Sequence, residues 1–169
     1  VADALDAPLD VVVASKIGAP GNPEYAIGAV GSDGSAWLDD DTIDRLGVSG
    51  SYVEREREHE ATAAREKASR YRGDRSAPDL AGRSVVVVDD GVATGATAIA
   101  ALRLVRERGA DHVVLAVPVG PPDTVARLEA ECDAVVALLT PARFGAVGAF
   151  YDRFDQVSDE EAMAYLGEQ

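Results

Sequence analysis

The sequence predicts an α/β fold in which a Rossmann-like parallel sheet is flanked by helices, and three observations lead to this prediction. Residues 85–88 are four consecutive valines, a run typical of a strand buried on both faces of a parallel sheet. Two further apolar runs, 111–117 and 134–139, predict two more strands. The stretches between these runs, 96–108 and 121–131, have helical character, and such alternation implies right-handed crossovers.

The N-terminal part of the chain predicts smaller elements. Residues 1–5 have the character of the end of a helix, and the apolar run 9–14 predicts a strand. A hairpin is predicted over 25–30 and 35–38, because the Asp33-Gly34 dipeptide between them favours a tight turn.

A charged region follows the hairpin. The acidic triplet 39–41 can cap a short helix over 42–46, and residues 51–71 predict a long charged helix. Because few apolar residues interrupt the long helix, we expect it to be either mobile or packed against a second subunit. These segments form a hairpin and arm insertion over about 19–80, within a single domain that spans 1–169.

The C-terminal half completes the predicted sheet. Ser158 and Glu161 have the spacing of a capping box at the start of a closing helix, and we expect residues 140–169 to form a C-terminal hood. One face of the helix after the valine strand should pack on the sheet through Ile99, Leu102 and Val105.

Composition excludes several classes of partner. The net charge of −14 argues against nucleic acid, since binding to phosphates needs a basic face. No run of apolar residues is long enough to cross a membrane, so we expect a cytoplasmic protein. Lysine occurs only at Lys16 and Lys67, and the acidic, lysine-poor composition resembles that of proteins from salt-loving archaea. Cys132 has no companion for a disulfide, and His59 and His112 lack the spacing of a zinc site.

The most informative segment is 85–97, which reads V-V-V-V-D-D-G-V-A-T-G-A-T. Asp89 and Asp90 stand at the carboxyl end of the valine strand, the place where open parallel sheets bind ligands. Carboxylates at that place suit sugar hydroxyls, or a magnesium ion that carries phosphates with it.

The turn after the acid pair suits an anion. Gly91 and Gly95 allow a tight bend, and the backbone amides of 93–97 lie at a helix start, where the helix dipole favours phosphate. Thr94 and Thr97 add hydroxyl donors. An acid pair followed by such a turn indicates a site for a phosphorylated sugar.

Two other interpretations of the acid pair fit less well. Receiver domains place an Asp-Asp pair near the domain start and a phosphorylated Asp at a later strand end. Here more than eighty residues precede the pair, and the next strand ends in Pro118-Val119-Gly120 without an acid. A Walker-type loop is excluded because no G-K-[ST] sequence follows.

Segment 85–97 resembles the phosphoribosyl-pyrophosphate motif of the type I phosphoribosyltransferases. The resemblance implies transfer of phosphoribose from 5-phosphoribosyl 1-pyrophosphate (PRPP) to a nitrogenous base, with release of pyrophosphate. It implies that Asp89 and Asp90 hold the ribose hydroxyls and that the following loop holds the 5-phosphate. The implied PRPP-binding positions are Asp89, Asp90, Gly91, Val92, Ala93, Thr94, Gly95, Ala96 and Thr97.

Further segments, 16–24, 71–73 and 144–156, resemble a little-characterised branch of the same family. The resemblance implies that Lys16 touches the pyrophosphate, as a third catalytic position beside Asp89 and Asp90. It implies a magnesium ion held mainly through PRPP, with the two aspartates as water-mediated contacts, and a homodimer.

The sequence narrows the choice of acceptor base but does not identify it. Phe144, Phe150 and Tyr151 cluster in the expected hood, where they suit either stacking on a planar base or core packing. Members that act on 6-oxopurines carry an Asp at the position of Ala93, so the resemblance disfavours that class and leaves adenine, orotate or another base open.

One departure from the family pattern stands out. An earlier strand with a pyrophosphate-binding turn is absent before Val1, and we expect the native reading frame to extend upstream. Two alternatives to a transferase remain open, namely a PRPP-binding regulator and a hydrolase or phosphorylase that handles phosphoribosyl groups. No DNA-binding module accompanies the chain to favour the first.

Overall fold

The computed structural model describes residues 1–73 and 75–167. The helices are α1 (Ala2–Leu5), α2 (Asp40–Leu46), α3 (Gly50–Arg72), α4 (Ala96–Glu107), α5 (Pro122–Leu128) and α6 (Asp159–Gly167). The strands are β1 (Ala14–Ala19), β2 (Asn22–Gly31), β3 (Ala36–Leu38), β4 (Ser84–Val88), β5 (His112–Val119) and β6 (Ala134–Leu139). A 3-10 turn spans Val147–Phe150.

The strands form two sheets of different kinds. One is antiparallel, in the order β1-β2-β3, and contains the predicted hairpin. The other is parallel, in the order β4-β5-β6, with α4 and α5 as its crossovers. The fold is thus α/β with a parallel sheet flanked by helices, as the sequence predicts.

Helix α4 lies between the two sheets and is buried on both sides. The predicted face, Ile99, Leu102 and Val105, is fully buried against the inner residues of β5. The opposite side, through Ala96 and Ala100, packs against Ala29 of β2. Small residues on that side let the antiparallel sheet approach the helix closely, which places it beside the first turn of α4.

The predicted caps are present. The Asp39 carboxylate accepts a 3.0 Å hydrogen bond from the backbone N–H of Thr42 at the start of α2. Ser158 and Glu161 exchange the hydrogen bonds of a capping box before α6. Gly109 ends α4 with φ 87°, a conformation that glycine adopts without strain.

The expectation that the long charged helix is either mobile or packed against a second subunit did not include packing within the chain, which the structure shows. α3 packs on the antiparallel sheet through a line of mostly small side chains, and its polar residues cover the outer side. The sequence pattern does not reveal this line because alanine contributes little to an apolar pattern, although its small side chain permits close approach to a sheet. The buried residues are Val53, Ala61, Ala64 and Ala68.

The first predicted strand is displaced. The segment 9–13 has no ladder partner among the described residues, and the strand begins instead at Ala14. The segment is held by other contacts: Arg72 donates a 2.7 Å hydrogen bond to the Val11 carbonyl, and Val13 packs on the alanines of α3. Val11 and Val13 therefore pack against a helix, while Val12 packs on the core around α4 and β5.

The expectation that the valine strand is buried on both faces is also wrong. Val85 and Val87 pack on the core of α4, whereas Val86 and Val88 are 41% and 50% exposed. Both crossover helices lie on the same side of the parallel sheet, so the other side is uncovered within the described part of the chain. We call this side the open face; its members are Val86, Val88, Val114, Ala116, Ala134, Val136 and Leu138.

Among the described residues, no helix combines the length and apolar character that crossing a membrane requires.

Candidate functional site

The acid pair lies at the carboxyl end of β4. The backbone N–H of Asp89 donates to the Ala116 carbonyl, at 3.3 Å, and extends the sheet by one bond beyond β4. The backbone N–H of Asp90 donates a 2.9 Å hydrogen bond to the Asp89 carboxylate. Both side chains reach solvent, so each is available to a ligand.

The surroundings of the acid pair change how readily it ionises. Partial desolvation at the crowded strand end raises the pKa of Asp89, and the charge of Asp90 adds to this, while the Asp90 N–H acts in the opposite direction. Desolvation also raises the pKa of Asp90. The pair therefore carries negative charge that the protein itself compensates only in part.

The segment after the acid pair packs against the end of β5. The N–H of Val92 donates to the Val119 carbonyl at 2.9 Å, and the Val92 side chain is buried. A Cβ at Gly91 would come within 2.7 Å of Val147 Cγ1, so only glycine fits between the strand ends and the 3-10 turn. These contacts fix the direction in which the loop leaves the sheet.

The loop then turns into α4. Gly95 is the N-cap residue, with φ 78°, and Ala93, Thr94 and Thr97 are exposed. No described residue accepts a hydrogen bond from the backbone N–H of Thr94, Gly95 or Thr97. The start of α4 thus presents several donors without partners beside the acid pair, a geometry suited to an anion.

Two residues of α5, which the sequence analysis missed, hold the other side of this loop. Thr124 Oγ1 donates a 2.8 Å hydrogen bond to the Ala93 carbonyl, and Arg127 Nη2 donates to the Thr94 carbonyl. Their spacing of three residues places both on one face of α5. That spacing is visible in the sequence, but the tertiary fold determines what this face of α5 contacts.

One aromatic residue of the expected hood contacts the acid pair. Tyr151 donates a hydrogen bond to the Asp90 carbonyl at 2.6 Å, and its ring packs on Phe154. Phe144 and Phe150 stack on each other with ring centres 5.5 Å apart. Helix α6, the last part of the expected hood, packs instead on α3, where the Tyr71 hydroxyl donates a hydrogen bond to the Asp159 carboxylate.

The secondary structure around Lys16 differs from the prediction. Lys16 lies within β1, opposite Ala29 of β2, rather than in a segment that follows a strand. Its side chain is half-buried in the antiparallel sheet.

A cleft of about 330 Å³ opens between the antiparallel sheet, the loop and α5. The guanidinium of Arg127 lies over the Trp37 ring, 5.8 Å from its centre, and closes one side of this cleft. The lining residues are Tyr25, Ala26, Trp37, Asp39, Ala93, Thr94, Ala96, Thr124 and Arg127.

The described residues contain no group of three or more His, Cys, Asp or Glu side chains that could hold a metal ion. Asp89 and Asp90 supply two carboxylates, fewer than a cage built from protein alone requires. These two carboxylates can contact the water ligands of a hydrated Mg²⁺ but cannot enclose the ion.

Comparison with known proteins decides the family. The sequence model of the phosphoribosyl transferase domain matches residues 1–148. The chain belongs to this family. The matched residues of the phosphoribosyl transferase domain include the acid pair, the loop and α5, and they end within the 3-10 turn.

Relatives of this phosphoribosyl transferase domain are longer proteins. Two from Mycobacterium tuberculosis, both with the provisional name of phosphoribosyl transferase, are 47% identical over 166 residues, which is 98% of this chain and 38% of theirs. A uracil phosphoribosyltransferase from a Nocardioides species is 40% identical over 79 residues, 45% of this chain and 37% of its own. The crystal structure of TT1426 from Thermus thermophilus superposes with a TM-score of 0.79 at 48% identity, and covers 99% of this chain and 79% of that one.

Proposed function

We propose that this domain binds PRPP and transfers its phosphoribosyl group to a nitrogenous base, with release of pyrophosphate. One observation carries the proposal. A solvent-accessible acid pair at the end of β4 lies directly before a loop whose backbone donors have no partner among the described residues. A ligand with sugar hydroxyls on one side and a phosphate on the other can bind both the acid pair and the backbone donors.

The acid pair suits the ribose. Ionised Asp89 and Asp90 accept hydrogen bonds from the 2- and 3-hydroxyls, and each such bond to a charged group is stronger than a neutral one. Loss of pyrophosphate from C1 passes through an oxocarbenium-like state, as in glycoside cleavage. Two carboxylates near the ring stabilise the positive charge that develops there.

The loop suits the 5-phosphate. The N–H groups of Thr94, Gly95 and Thr97 and the hydroxyls of Thr94 and Thr97 are donors, and the dipole of α4 adds positive potential. Gly95 at φ 78° lets the backbone turn so that its amide is reachable. The loop provides position and charge stabilisation and takes no part in bond breaking.

Magnesium accompanies the pyrophosphate in this proposal. A chain with a net charge of −14 repels a polyanion, and a divalent ion bound to the ligand reduces that repulsion. When bound, the metal draws charge from the leaving pyrophosphate. Asp89 and Asp90 would contact its water ligands, and Lys16 is the proposed basic partner of the pyrophosphate.

The base is proposed to bind near the aromatic residues that follow β6, namely Phe144, Phe150 and Tyr151. The support is that Tyr151 contacts the Asp90 carbonyl, while the preceding residue, Phe150, stacks on Phe144. Ala93 offers no carboxylate to a 6-oxopurine. Because a partial relative is a uracil phosphoribosyltransferase, uracil is the first base to test, with adenine and orotate next.

Calorimetry with PRPP tests the ribose assignment. In the variant Asp89→Ala/Asp90→Ala we expect affinity to fall by more than about 100-fold, since two hydrogen bonds to charged groups are lost. The matched control is Asp40→Ala/Asp41→Ala, which removes the same charge from an exposed acid pair on α2. Undiminished affinity in the first variant would refute the proposal. Magnesium should strengthen binding to the wild type and to the control.

Product analysis separates transfer from its alternatives. Incubation with PRPP, magnesium and each base should yield pyrophosphate only when the correct base is present. Pyrophosphate without any base would indicate hydrolysis, and tight binding of PRPP without turnover for any base would indicate a regulator. Light scattering on the same sample tests the homodimer that family resemblance suggests.

A further inference from the structure

Thr124 and Arg127 of α5 hydrogen-bond two consecutive backbone carbonyls of the loop. Thr124 Oγ1 holds the Ala93 carbonyl at 2.8 Å, and Arg127 holds the Thr94 carbonyl. Thr124 is 5% exposed, so its hydroxyl bond is shielded from water. Both contacts reach the loop from the side of the cleft.

Holding a carbonyl also orients the next amide. In a trans peptide the C=O and the following N–H point in opposite directions. The bond from Thr124 to the Ala93 carbonyl therefore directs the N–H of Thr94 away from α5. The bond from Arg127 to the Thr94 carbonyl does the same for the N–H of Gly95. These two N–H groups are among the donors for which no described residue is an acceptor.

Packing reinforces the hydrogen bonds. A Cβ at Gly95 would lie 3.0 Å from Thr124 Cγ2 and 3.5 Å from Leu128 Cδ1, so the turn rests directly on α5. Arg127 is restrained in its turn by the Trp37 ring of β3. The loop is thus fixed from α5, and α5 is braced by the antiparallel sheet.

We propose that Thr124 and Arg127 are positioning residues that set the direction of the Thr94 and Gly95 amides toward the 5-phosphate of PRPP. This inference rests on the proposed function. Donors that are oriented before the ligand arrives need no rearrangement on binding, which is the condition under which backbone amides bind an anion tightly. Neither side chain touches the phosphate; both act through the backbone.

Substitutions at Thr124 separate the hydroxyl from the packing. Thr124→Val keeps the shape and removes the donor, while Thr124→Ser keeps the donor and removes a methyl group. We expect Thr124→Val to raise the Kd for ribose 5-phosphate and for PRPP by about 3- to 10-fold, the effect of one hydrogen bond. Thr124→Ser should restore most of the affinity. Arg127→Met should act in the same direction, and the double variant should exceed either one.

An amide-resolved measurement distinguishes positioning from a general loss of stability. In the wild type, ribose 5-phosphate should shift the NMR signals of the Thr94 and Gly95 N–H groups strongly. In Thr124→Val those shifts should shrink, while signals of α2 and α6 stay unchanged. KM for PRPP should rise in the variant and KM for the base should not.

The outcomes for this inference and for the proposed function are distinct. A wild type that binds neither ribose 5-phosphate nor PRPP overturns both. A wild type that binds them, with Thr124→Val and Arg127→Met showing unchanged Kd and unchanged amide shifts, overturns the positioning role alone. Equal losses in Thr124→Val and Thr124→Ser would also overturn it, because the hydroxyl would then be irrelevant.

Discussion

The hydroxyl of Tyr151 donates a 2.6 Å hydrogen bond to the carbonyl oxygen of Asp90, which lies 61 residues earlier in the chain. Next to it, Val147 fills the space beside Gly91. The 3-10 turn and Tyr151 therefore rest on the backbone of the acid pair itself. The geometry of these two carboxylates depends on a segment that a motif search would treat as unrelated.

Replacement of Tyr151 by Phe tests this dependence. The change removes the hydrogen bond and keeps the ring, so stability should fall by about 0.5–1.5 kcal/mol and PRPP affinity by a few-fold. If the ring stacks on the base, KM for the base should stay constant. Tyr165→Phe is the control, since Tyr165 is 67% exposed on α6. Wild-type PRPP affinity in Tyr151→Phe would show that the hydroxyl does not position the acid pair.

Gly95→Val should weaken PRPP binding by at least about 10-fold. A branched side chain is strained at φ 78°, at a cost of about 1–3 kcal/mol, and it would crowd Thr124. Gly109→Val imposes a similar backbone penalty, at φ 87°, at the far end of the same helix. Both variants should melt lower, and calorimetry should find PRPP binding impaired only in the first. Equal impairment in both would attribute the effect to strain alone.

The stability of the parallel sheet should depend on pH through Asp133. Its carboxylate accepts hydrogen bonds from the Val113 N–H at 2.7 Å and from Arg106 at 2.6 Å, and these bonds hold its pKa below the usual value. A carboxyl with a depressed pKa in the folded state contributes stability above its unfolded pKa. That contribution is lost as the pH falls below the unfolded pKa of about 4 and then through the lower pKa of the folded state.

Asp133→Asn should therefore lower the melting temperature at pH 7, and the difference from the wild type should narrow as the pH falls below about 4. Thermal melts from pH 2 to pH 7 measure this. Asp111→Asn is a nearby control, because no described residue forms a hydrogen bond with the Asp111 side chain. A difference that persists unchanged in acid would contradict the assignment to ionised Asp133.

The acidic surface should make stability depend on salt. With a net charge of −14, repulsion among carboxylates destabilises the fold in dilute buffer. At 1 M potassium chloride the Debye length is about 3 Å, so this repulsion is screened. The melting temperature should rise with potassium chloride into the molar range. A flat or falling curve would remove the support for a salt-adapted protein.

Local features of the fold were predictable from sequence, and features that depend on neighbours were not. Asp33-Gly34 predicts its hairpin, Ser158 and Glu161 their cap, and the valine run its strand, because each is determined within a few residues. For the same reason the acid pair and the loop lie where the sequence predicts them, between the end of β4 and the start of α4.

The rest depends on what packs against each element. The alanines of α3 carry too little apolar signal to show that they face a sheet, and residues 9–13 have a strand pattern although Val11 and Val13 pack on a helix. Thr124 and Arg127 gain their role only once α5 lies under the loop. Sequence periodicity gives the face of an element but not its partner.

The protein has an acidic surface and, on the parallel sheet, the apolar open face. These two surfaces should respond differently to the choice of anion in the buffer. Chloride screens the carboxylates and affects apolar contacts little, whereas sulfate also strengthens apolar association. Leu138, 76% exposed, and Val136, 50% exposed, stand at the edge of that face. Ammonium sulfate would screen the repulsion among carboxylates and also favour contact between the open faces of different molecules. The protein should therefore stay monodisperse in potassium chloride and associate in ammonium sulfate of equal ionic strength. Purification by salting out would then select for aggregates of an otherwise highly charged molecule.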